Sequence, residues 1–362
     1  MSAAANSPED VRTATPAATA RILPVEAWLE AAHAITVPVP GLAAAATATP
    51  FSPYLALVED VRLLVGDWLL LTRSGDLLVE SLHQRLMHAP ERSRFIARFE
   101  APQAELVLPA TKQTLDMPCV LLGYSSSHYH WLIDYLPRLF SIGQFEHLKG
   151  LPLLVGANIS DAHLESLSHL GIPASQLVRL DPASVVRCRH LWVPSILSGG
   201  LGLHPVAFKW LRRCFAGLIP AGAPRERLFI SRCDASTRRL LNEDEVMAEA
   251  ARFGFTRIEA GRMGFAEQVA RFGAAEVVIG VTGSGLSNAV FAPADAAFVE
   301  LHNLEQGAHF IEVLTAQLGQ RYVRLMGKPQ ADPARTSHNF DFNFDPLVLR
   351  EALHGLGLHP VS

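Results

Sequence analysis

From about residue 118 onward the sequence alternates between short apolar runs and longer segments with apolar residues at helical spacing, and no other feature restricts the fold as strongly. "PCVLLGY" reads as a buried strand, "HWLIDYLPRLFSIGQF" as a helix, "PLLVG" as a strand, and "SDAHLESLSHLG" as a helix with Ser160 as N-cap and Gly171 as stop. After "VVRCRHLWVPS" the series restarts. "HPVAFKWLRRCFAGL", "NEDEVMAEAARFG" and "GFAEQVARFGAA" have helical spacing, whereas "RLFISR", "FTRIEA" and "EVVIG" are strand-like, and "AAFVELH", "GAHFIEVLTAQLG" and "RYVRLMG" continue the alternation. Such units close with right-handed crossovers and lay their strands parallel beneath helices on both faces. The expected fold is therefore α/β: two Rossmann-like, doubly wound domains facing a cleft. Residues 60–110 differ, with brief strand-like runs ("VRLLV", "WLLLT", "LLVES", "ELVLP") around a turn at Arg73-Ser74-Gly75-Asp76, and form a strand-rich N-terminal segment. The linker Gly199-Gly200-Leu201-Gly202 sets the boundary. It gives a disordered leader over 1–20, an N-terminal domain over 21–199 and a C-terminal domain over 200–362.

Composition narrows the partners. With 31 basic against 35 acidic side chains in 362 residues, the chain carries a formal charge of −4, which offers no electrostatic reason to bind nucleic acid. The four cysteines (Cys119, Cys188, Cys214 and Cys233) are scattered, without a Cys-x-x-Cys pair, and read as free thiols rather than as a zinc site or a disulfide framework. The first 20 residues lack the basic start and apolar core of a secretory signal. The most apolar window, "YLALVEDVRLLVGDWLLLTR", is broken by Glu59, Asp60, Arg62 and Asp67, short of the roughly 18 apolar residues that a spanning helix needs. These features point to a soluble cytoplasmic protein.

Three segments carry chemistry. "VVIGVTGSGLSNAVF", residues 277–291, runs from a strand through Gly280, Gly283 and Gly285 into a helix, a place where backbone amides can approach a phosphate. The Lys-Ser/Thr of a P-loop is missing. Gly283-x-Gly285-x-x-Asn288 is closer to a dinucleotide fingerprint, with Glu300 at the distance of a ribose-binding carboxylate. Tight turning with a strand-end glutamate is the purely structural alternative. The second segment, "RLFISRCDASTRRLLNEDEV", sets Arg232 at a strand's carboxyl end and Arg238 and Arg239 in the next loop, where guanidinium groups suit phosphate oxygens. Surface ion pairing is the alternative for Arg238 and Arg239, and Asn242 with Glu245 reads as a helix cap.

In "SSSHYHWLIDYLPRLF" the third segment repeats His130, Asp134 and Arg138 every four residues, so a continuous helix would carry them as one stripe, although Pro137 must kink it. Asp134 or a neighbouring histidine can serve as general base toward a hydroxyl, and an Asp134–Arg138 ion pair is the structural alternative. His128-x-His130 finds no third metal ligand nearby.

Together these segments resemble glycosyltransferase family 61. The likeness rests on His130-Trp131, Asp134 and Leu136-Pro137-Arg138; on Ser231-Arg232, Arg239 and Asn242-Glu243; and on Leu286-Ser287-Asn288-x-x-Phe291 with Val299-Glu300-Leu301, and it covers roughly residues 118 to 302. The resemblance implies a GT-B-like architecture and metal-independent, inverting transfer from a nucleotide sugar, foremost a UDP-sugar, to a glycan or lipid-linked acceptor in surface or capsular polysaccharide synthesis. No cofactor is implied. Asp134 and His130 would act as base; Arg232, Arg239, Asn242, Thr282, Gly283, Ser284, Gly285, Asn288 and Glu300 would hold the donor. The inner face of a membrane, with peripheral contact, is compatible with this setting. One departure stands out: the family usually has His-Gly-Ala where this chain has Thr282-Gly283-Ser284. Two other readings compete, a nicotinamide-dependent oxidoreductase using Gly283, Gly285 and Glu300, and a non-catalytic relative that binds a nucleotide or glycan.

Overall fold

The computed structural model describes residues 18–39, 53–78, 93–100, 102–199, 202–303 and 309–361. Residues 1–17 of the expected leader, and Gly200 and Leu201 of the expected linker, lie outside the described residues. Residues 18–20 do not belong to a leader, because they open strand β1, Ala18–Leu23.

The chain divides into two compact units. The first comprises Met1–Ser126, Asp134–Ser160 and Ile172–Leu197; the second comprises Ser127–Ile133, Asp161–Gly171 and Ser198–Ser362. Two short segments from the first half thus pack with the second, which a single boundary at residue 199 misses. Specific polar bonds hold them there. Glu165 accepts hydrogen bonds from the backbone N–H groups of Phe265 (2.5 Å) and Ala266 (3.3 Å), satisfying the open start of helix Phe265–Gly273. His128 bonds Asn288.

In the first unit the strands are β1, β2 (Ile35–Pro38), β3 (Tyr54–Leu64), β4 (Leu69–Leu71), β5 (Asp76–Leu78), β6 (Ile96–Glu100), β7 (Gln103–Leu106), β8 (Thr111–Leu115), β9 (Cys119–Leu121), β10 (Leu153–Gly156), β11 (Leu177–Leu180) and β12 (Val185–Pro194). They form one twelve-stranded sheet in the order β11-β10-β9-β12-β3-β4-β5-β1-β7-β6, with β2 on β3 and β8 on β12. Only part of this sheet is wound as expected: β9, β10 and β11 are parallel neighbours, whereas β12, β3, β4 and β5 pair antiparallel in turn. The strand-rich segment is therefore no separate appendage. Its long strand β3 pairs with β12 from Leu55↔Pro194 to Leu64↔Val185, and joins the parallel strands to the hairpins.

The second unit fits the sequence reading more closely. After a short hairpin of β13 (Ser198–Gly199) and β14 (Gly202–Leu203), strands β15 (Glu226–Ile230), β16 (Thr256–Ile258), β17 (Ala275–Val281), β18 (Ala297–His302) and β19 (Arg321–Met326) make a parallel five-stranded sheet in the order β16-β15-β17-β18-β19. The chain moves one way from β15 to β16 and the other way to β17, so a topological switch point lies between β15 and β17. Phe229, Phe253, Val277, Ile279, Val299, Phe342 and Leu349 fill the core on one side of this sheet. Each such large side chain removed from water contributes about 1.5–3 kcal/mol, which fixes where the strand ends project their loops.

Helix boundaries also show where local rules held. His204 caps helix Pro205–Phe215 by accepting from Val206 N–H, with proline in its first turn. Gly171 takes the left-handed conformation (φ 76°) just beyond helix Asp161–His169. Cys119 and Cys188 are buried free thiols, but Cys214 is half-buried and Cys233 exposed. Among the described residues no helix is long and apolar enough to cross a membrane.

Candidate functional site

In the second unit the switch point brings two of the sequence segments together. After β15, Ser231 Oγ donates to Glu243 Oε1 (2.5 Å) and the Arg232 N–H to Glu243 Oε2 (3.0 Å), so one carboxylate holds the loop at its root. Arg232 then spends one amino group on the Thr237 carbonyl (3.0 Å), and its Nη1 lies over Gly283, only 2.2 Å from where a β-carbon would stand. Gly283 is extended (φ 169°), so its glycine is explained by this close approach and not by backbone strain. Gly280 is explained likewise by Leu286, 3.0 Å from its missing β-carbon, but Gly285 has ordinary clearance, 3.5 Å from Ile230. We therefore expect Gly283→Ala to push the Arg232 guanidinium aside and weaken anion binding about tenfold, whereas Gly285→Ala leaves it unchanged. Parallel titrations of both variants with a nucleoside diphosphate check this.

Arg238 completes the cluster. It adopts a left-handed backbone (φ 55°), and burial lowers its guanidinium pKa while Glu300 raises it. Burial first, and Arg238 second, bring Arg232 down to about 10 against the opposing pull of Asp234, Asp341 and Glu243, so Arg232 remains cationic at neutral pH. Arg225, Arg227, Arg239, Arg257 and Arg350 each meet a carboxylate. Among the described residues Arg232 and Arg238 meet none, and the buried Nε of each has no partner. Two mutually repelling, half-buried cations that feel acids only at longer range and make no salt bridge among the described residues favour an anion that joins them.

The remaining donor-side residues separate into two groups. Glu300 is buried in β18, paired with Gly280 across the sheet, and accepts from the Tyr322 hydroxyl; burial and this carboxylate push the phenol pKa up. Thr282 is buried and its N–H donates to Leu301. Ser284 opens a 3₁₀ helix, Ser284–Val290, and its carbonyl accepts from Ser287 Oγ. Arg239 and Asn242 do not join them. Arg239 is held by Asp341 (2.8–3.1 Å), and Asn242 bonds both backbone groups of Phe344, with no side-chain cap on helix Glu243–Ala251. Sequence reasoning named Glu243 beside Asn242 in the family likeness but gave it no role, and it missed Tyr322, which breaks no local pattern.

Asn288, completely buried, belongs to a polar chain whose direction can be worked out. Gln268 donates to the Met263 carbonyl, so its oxygen faces Asn288, whose amide nitrogen donates there (2.8 Å) and to the Gly285 carbonyl (3.1 Å). The Asn288 oxygen must then accept from His128 Nε2 (3.1 Å). That leaves neutral His128 with a lone pair on Nδ1 to accept from His163 Nε2 (3.2 Å). Desolvation holds both imidazoles neutral, lowering His128 and bringing His163 to about 3, with His128 adding to the latter shift; Trp131 stacks on His163 at 4.9 Å. Because the folded state refuses a proton that the unfolded chain accepts, His163's contribution is complete above about pH 6.5 and is lost as pH falls toward 3. The slope is about 1.4 kcal/mol per pH unit. Urea midpoints measured between pH 7 and 5 should fall less steeply for His163→Gln than for the wild type.

The His130–Asp134–Arg138 stripe is not carried by a continuous α-helix. One turn, His128–His130, passes into a π-turn over Trp131–Tyr135, and a new helix, Arg138–Gly143, starts after Pro137. Proline lacks the N–H that would continue the ladder and its ring clashes with the carbonyl four residues back, and the wider turn accommodates both. Asp134 is 6% exposed and belongs to the first unit; His130 is half-buried and belongs to the second. Arg138 is buried in the first unit, where it donates to the Leu122 carbonyl (3.0 Å). No cluster of three metal-ligating side chains occurs among the described residues.

The class this geometry defines, a parallel doubly wound sheet with an arginine cluster at its switch point, is narrowed by comparison with known proteins. Residues 128–299, just under half of the chain, match the family model "Glycosyltransferase 61". A rice (Oryza sativa subsp. japonica) protein named beta-1,2-xylosyltransferase XAX1 is 35% identical over 149 residues, 38% of this chain. The match spans 24% of that relative's length. These findings support a glycosyltransferase of family 61, and they do not favour the oxidoreductase reading. A heptosyltransferase, TibC, solved with ADP-D-beta-D-heptose, aligns over 86% of this chain and 90% of its own, at 12% identity and a TM-score of 0.32, a likeness too low to carry an argument.

Proposed function

We propose that the chain is an inverting, metal-independent glycosyltransferase of GT-B type that moves a sugar from a nucleotide-sugar donor, foremost a UDP-sugar, to a hydroxyl of a glycan or lipid-linked acceptor in surface or capsular polysaccharide synthesis, at the cytoplasmic face of the membrane. The observation that carries the reading is the pair Arg232 and Arg238, neither in a salt bridge among the described residues, with the Arg232 guanidinium lying against Gly283. The donor's diphosphate supplies the direct ionic partner that neither guanidinium has among the described residues. Charge that develops on the leaving phosphate as the glycosidic bond breaks is met by the Arg232 guanidinium, held in advance by the Thr237 carbonyl on a loop whose root Glu243 fixes. The hydroxyls of Thr282 and Ser284 stand where the family's histidine and alanine are usual and can donate to phosphate oxygens. Glu300, oriented by Tyr322, takes the ribose hydroxyls. Asp134, assisted by His130, removes the acceptor's proton as its oxygen attacks the anomeric carbon from the face opposite the leaving group.

Calorimetric titration with UDP, GDP, CMP and NAD, in chelator and without added metal, tests the reading. One nucleoside diphosphate should bind, and the corresponding sugar nucleotide should then support transfer to saccharides. Binding of NAD alone, or a strict need for a divalent ion, would overturn it.

A further inference from the structure

The loop that carries Arg238 does not hold its own shape. From Arg238 to Leu241 it is zipped to residues 339–342. The Arg238 N–H donates to the Asn339 carbonyl (3.3 Å) and the Arg239 N–H to Asp341 Oδ1 (2.8 Å), while the Phe342 N–H donates to the Arg239 carbonyl (3.0 Å) and the Leu241 N–H to the Phe342 carbonyl (2.8 Å). Arg238 itself has a left-handed backbone (φ 55°), a conformation that a side chain of this size adopts where its surroundings impose it. The place of its guanidinium therefore depends on where residues 339–342 lie.

Asn303 fixes that place. It follows directly on β18, is 1% exposed, and its carboxamide nitrogen donates to the carbonyls of Phe340 (2.8 Å) and Ser337 (3.3 Å), at the two ends of the 3₁₀ turn Ser337–Asn339. These contacts set the orientation of the amide, because turning it over would press its oxygen against two carbonyls. Its Oδ1 is then buried without a partner among the described residues, a cost that an apolar side chain of similar size would not carry. Packing alone therefore does not explain an asparagine here. The residue is used for its two donors, and both go to the turn that receives the Arg238 N–H.

We infer that Asn303 is a positioning residue for the donor's diphosphate: it ties the Ser337–Asn339 turn to the end of β18, and the turn sets the backbone of Arg238 and the place of its guanidinium in the arginine cluster. Asn303 acts through Arg238 and touches no ligand. The inference rests on the proposed donor site and adds a third strand to it. Arg232 follows β15 and Gly283 follows β17, and the support of Arg238 comes from the end of β18.

The test is a double-mutant cycle on the full chain, read by calorimetric titration with UDP and with inorganic pyrophosphate, which carries the diphosphate alone, well below the melting transition. Asn303→Leu keeps the volume and removes both donors, and should raise the dissociation constants about tenfold. In the Arg238→Ala background the same change should cost less than about twofold, because a support matters only while the supported group is present. A merely structural role leaves the affinity of the folded protein alone, or adds the same loss in both backgrounds, and either result would overturn the inference. The wild type gives a second reading that does not depend on the folding of a variant. UDP should slow hydrogen exchange of the Asn303 carboxamide, with no Overhauser contact between those protons and the nucleotide. Unchanged exchange, or a direct contact, would also overturn the positioning role. Failure of the wild type to bind either probe removes the donor reading and this inference with it, whereas wild-type binding with additive losses removes the inference alone.

Discussion

Arg232→Ala is expected to raise the dissociation constant of the bound nucleoside diphosphate by roughly 100-fold. A charge-assisted hydrogen bond to a guanidinium contributes about 1.5–3 kcal/mol, and each 1.4 kcal/mol is a factor of ten. The native guanidinium is held by Thr237 and packed on Gly283, so little ordering remains to be done when the ligand arrives. Stability should not fall with affinity. Removing Arg232 relieves repulsion with Arg238, and the melting temperature is expected to hold or rise slightly. Arg239→Ala is the informative control, since its side chain is already engaged by Asp341 and its loss should change nucleotide affinity little. Calorimetry on the three proteins separates a phosphate contact from a generally basic surface. Equal affinity for wild type and Arg232→Ala would remove the central support of the proposed donor site.

The sequence disclosed the parallel sheet of the second unit because each of its strands is a compact apolar run set between amphipathic helices, a local pattern. It also placed Arg232 correctly at a strand end. It could not reveal that Arg232 and Gly283 meet, since contact between segments about 50 residues apart depends on strand order, and nothing in either loop encodes β15 beside β17. Nor could it show that Arg239 and Asn242 are engaged by Asp341 and Phe344, which lie about 100 residues away. The first unit was harder still. β3 and β12 read as ordinary strands, but their pairing across more than 120 residues, which merges the N-terminal hairpins with β9–β11, leaves no local trace. Pro137 did announce an interruption, although not that a π-turn would absorb it.

That interruption frames the second large effect, a fall in kcat of roughly 10²- to 10⁴-fold for Asp134→Asn, with nucleotide affinity unchanged. Asparagine has the same shape and can keep a hydrogen bond, but it cannot take a proton from an attacking hydroxyl. A loss in kcat without a loss in donor binding is therefore the signature of the missing base. The π-turn over Trp131–Tyr135 displaces Asp134 from the regular helical stripe that the sequence spacing suggested, and turns of this type recur at functional sites. His130 is the competing base. In His130→Gln the same measurement should show a smaller fall, since in the proposed mechanism the imidazole assists the carboxylate base without replacing it. The two variants therefore decide the assignment between them. If Asp134→Asn transfers sugar at the wild-type rate while His130→Gln does not, the proton goes to the imidazole, and the buried carboxylate serves only to hold the turn.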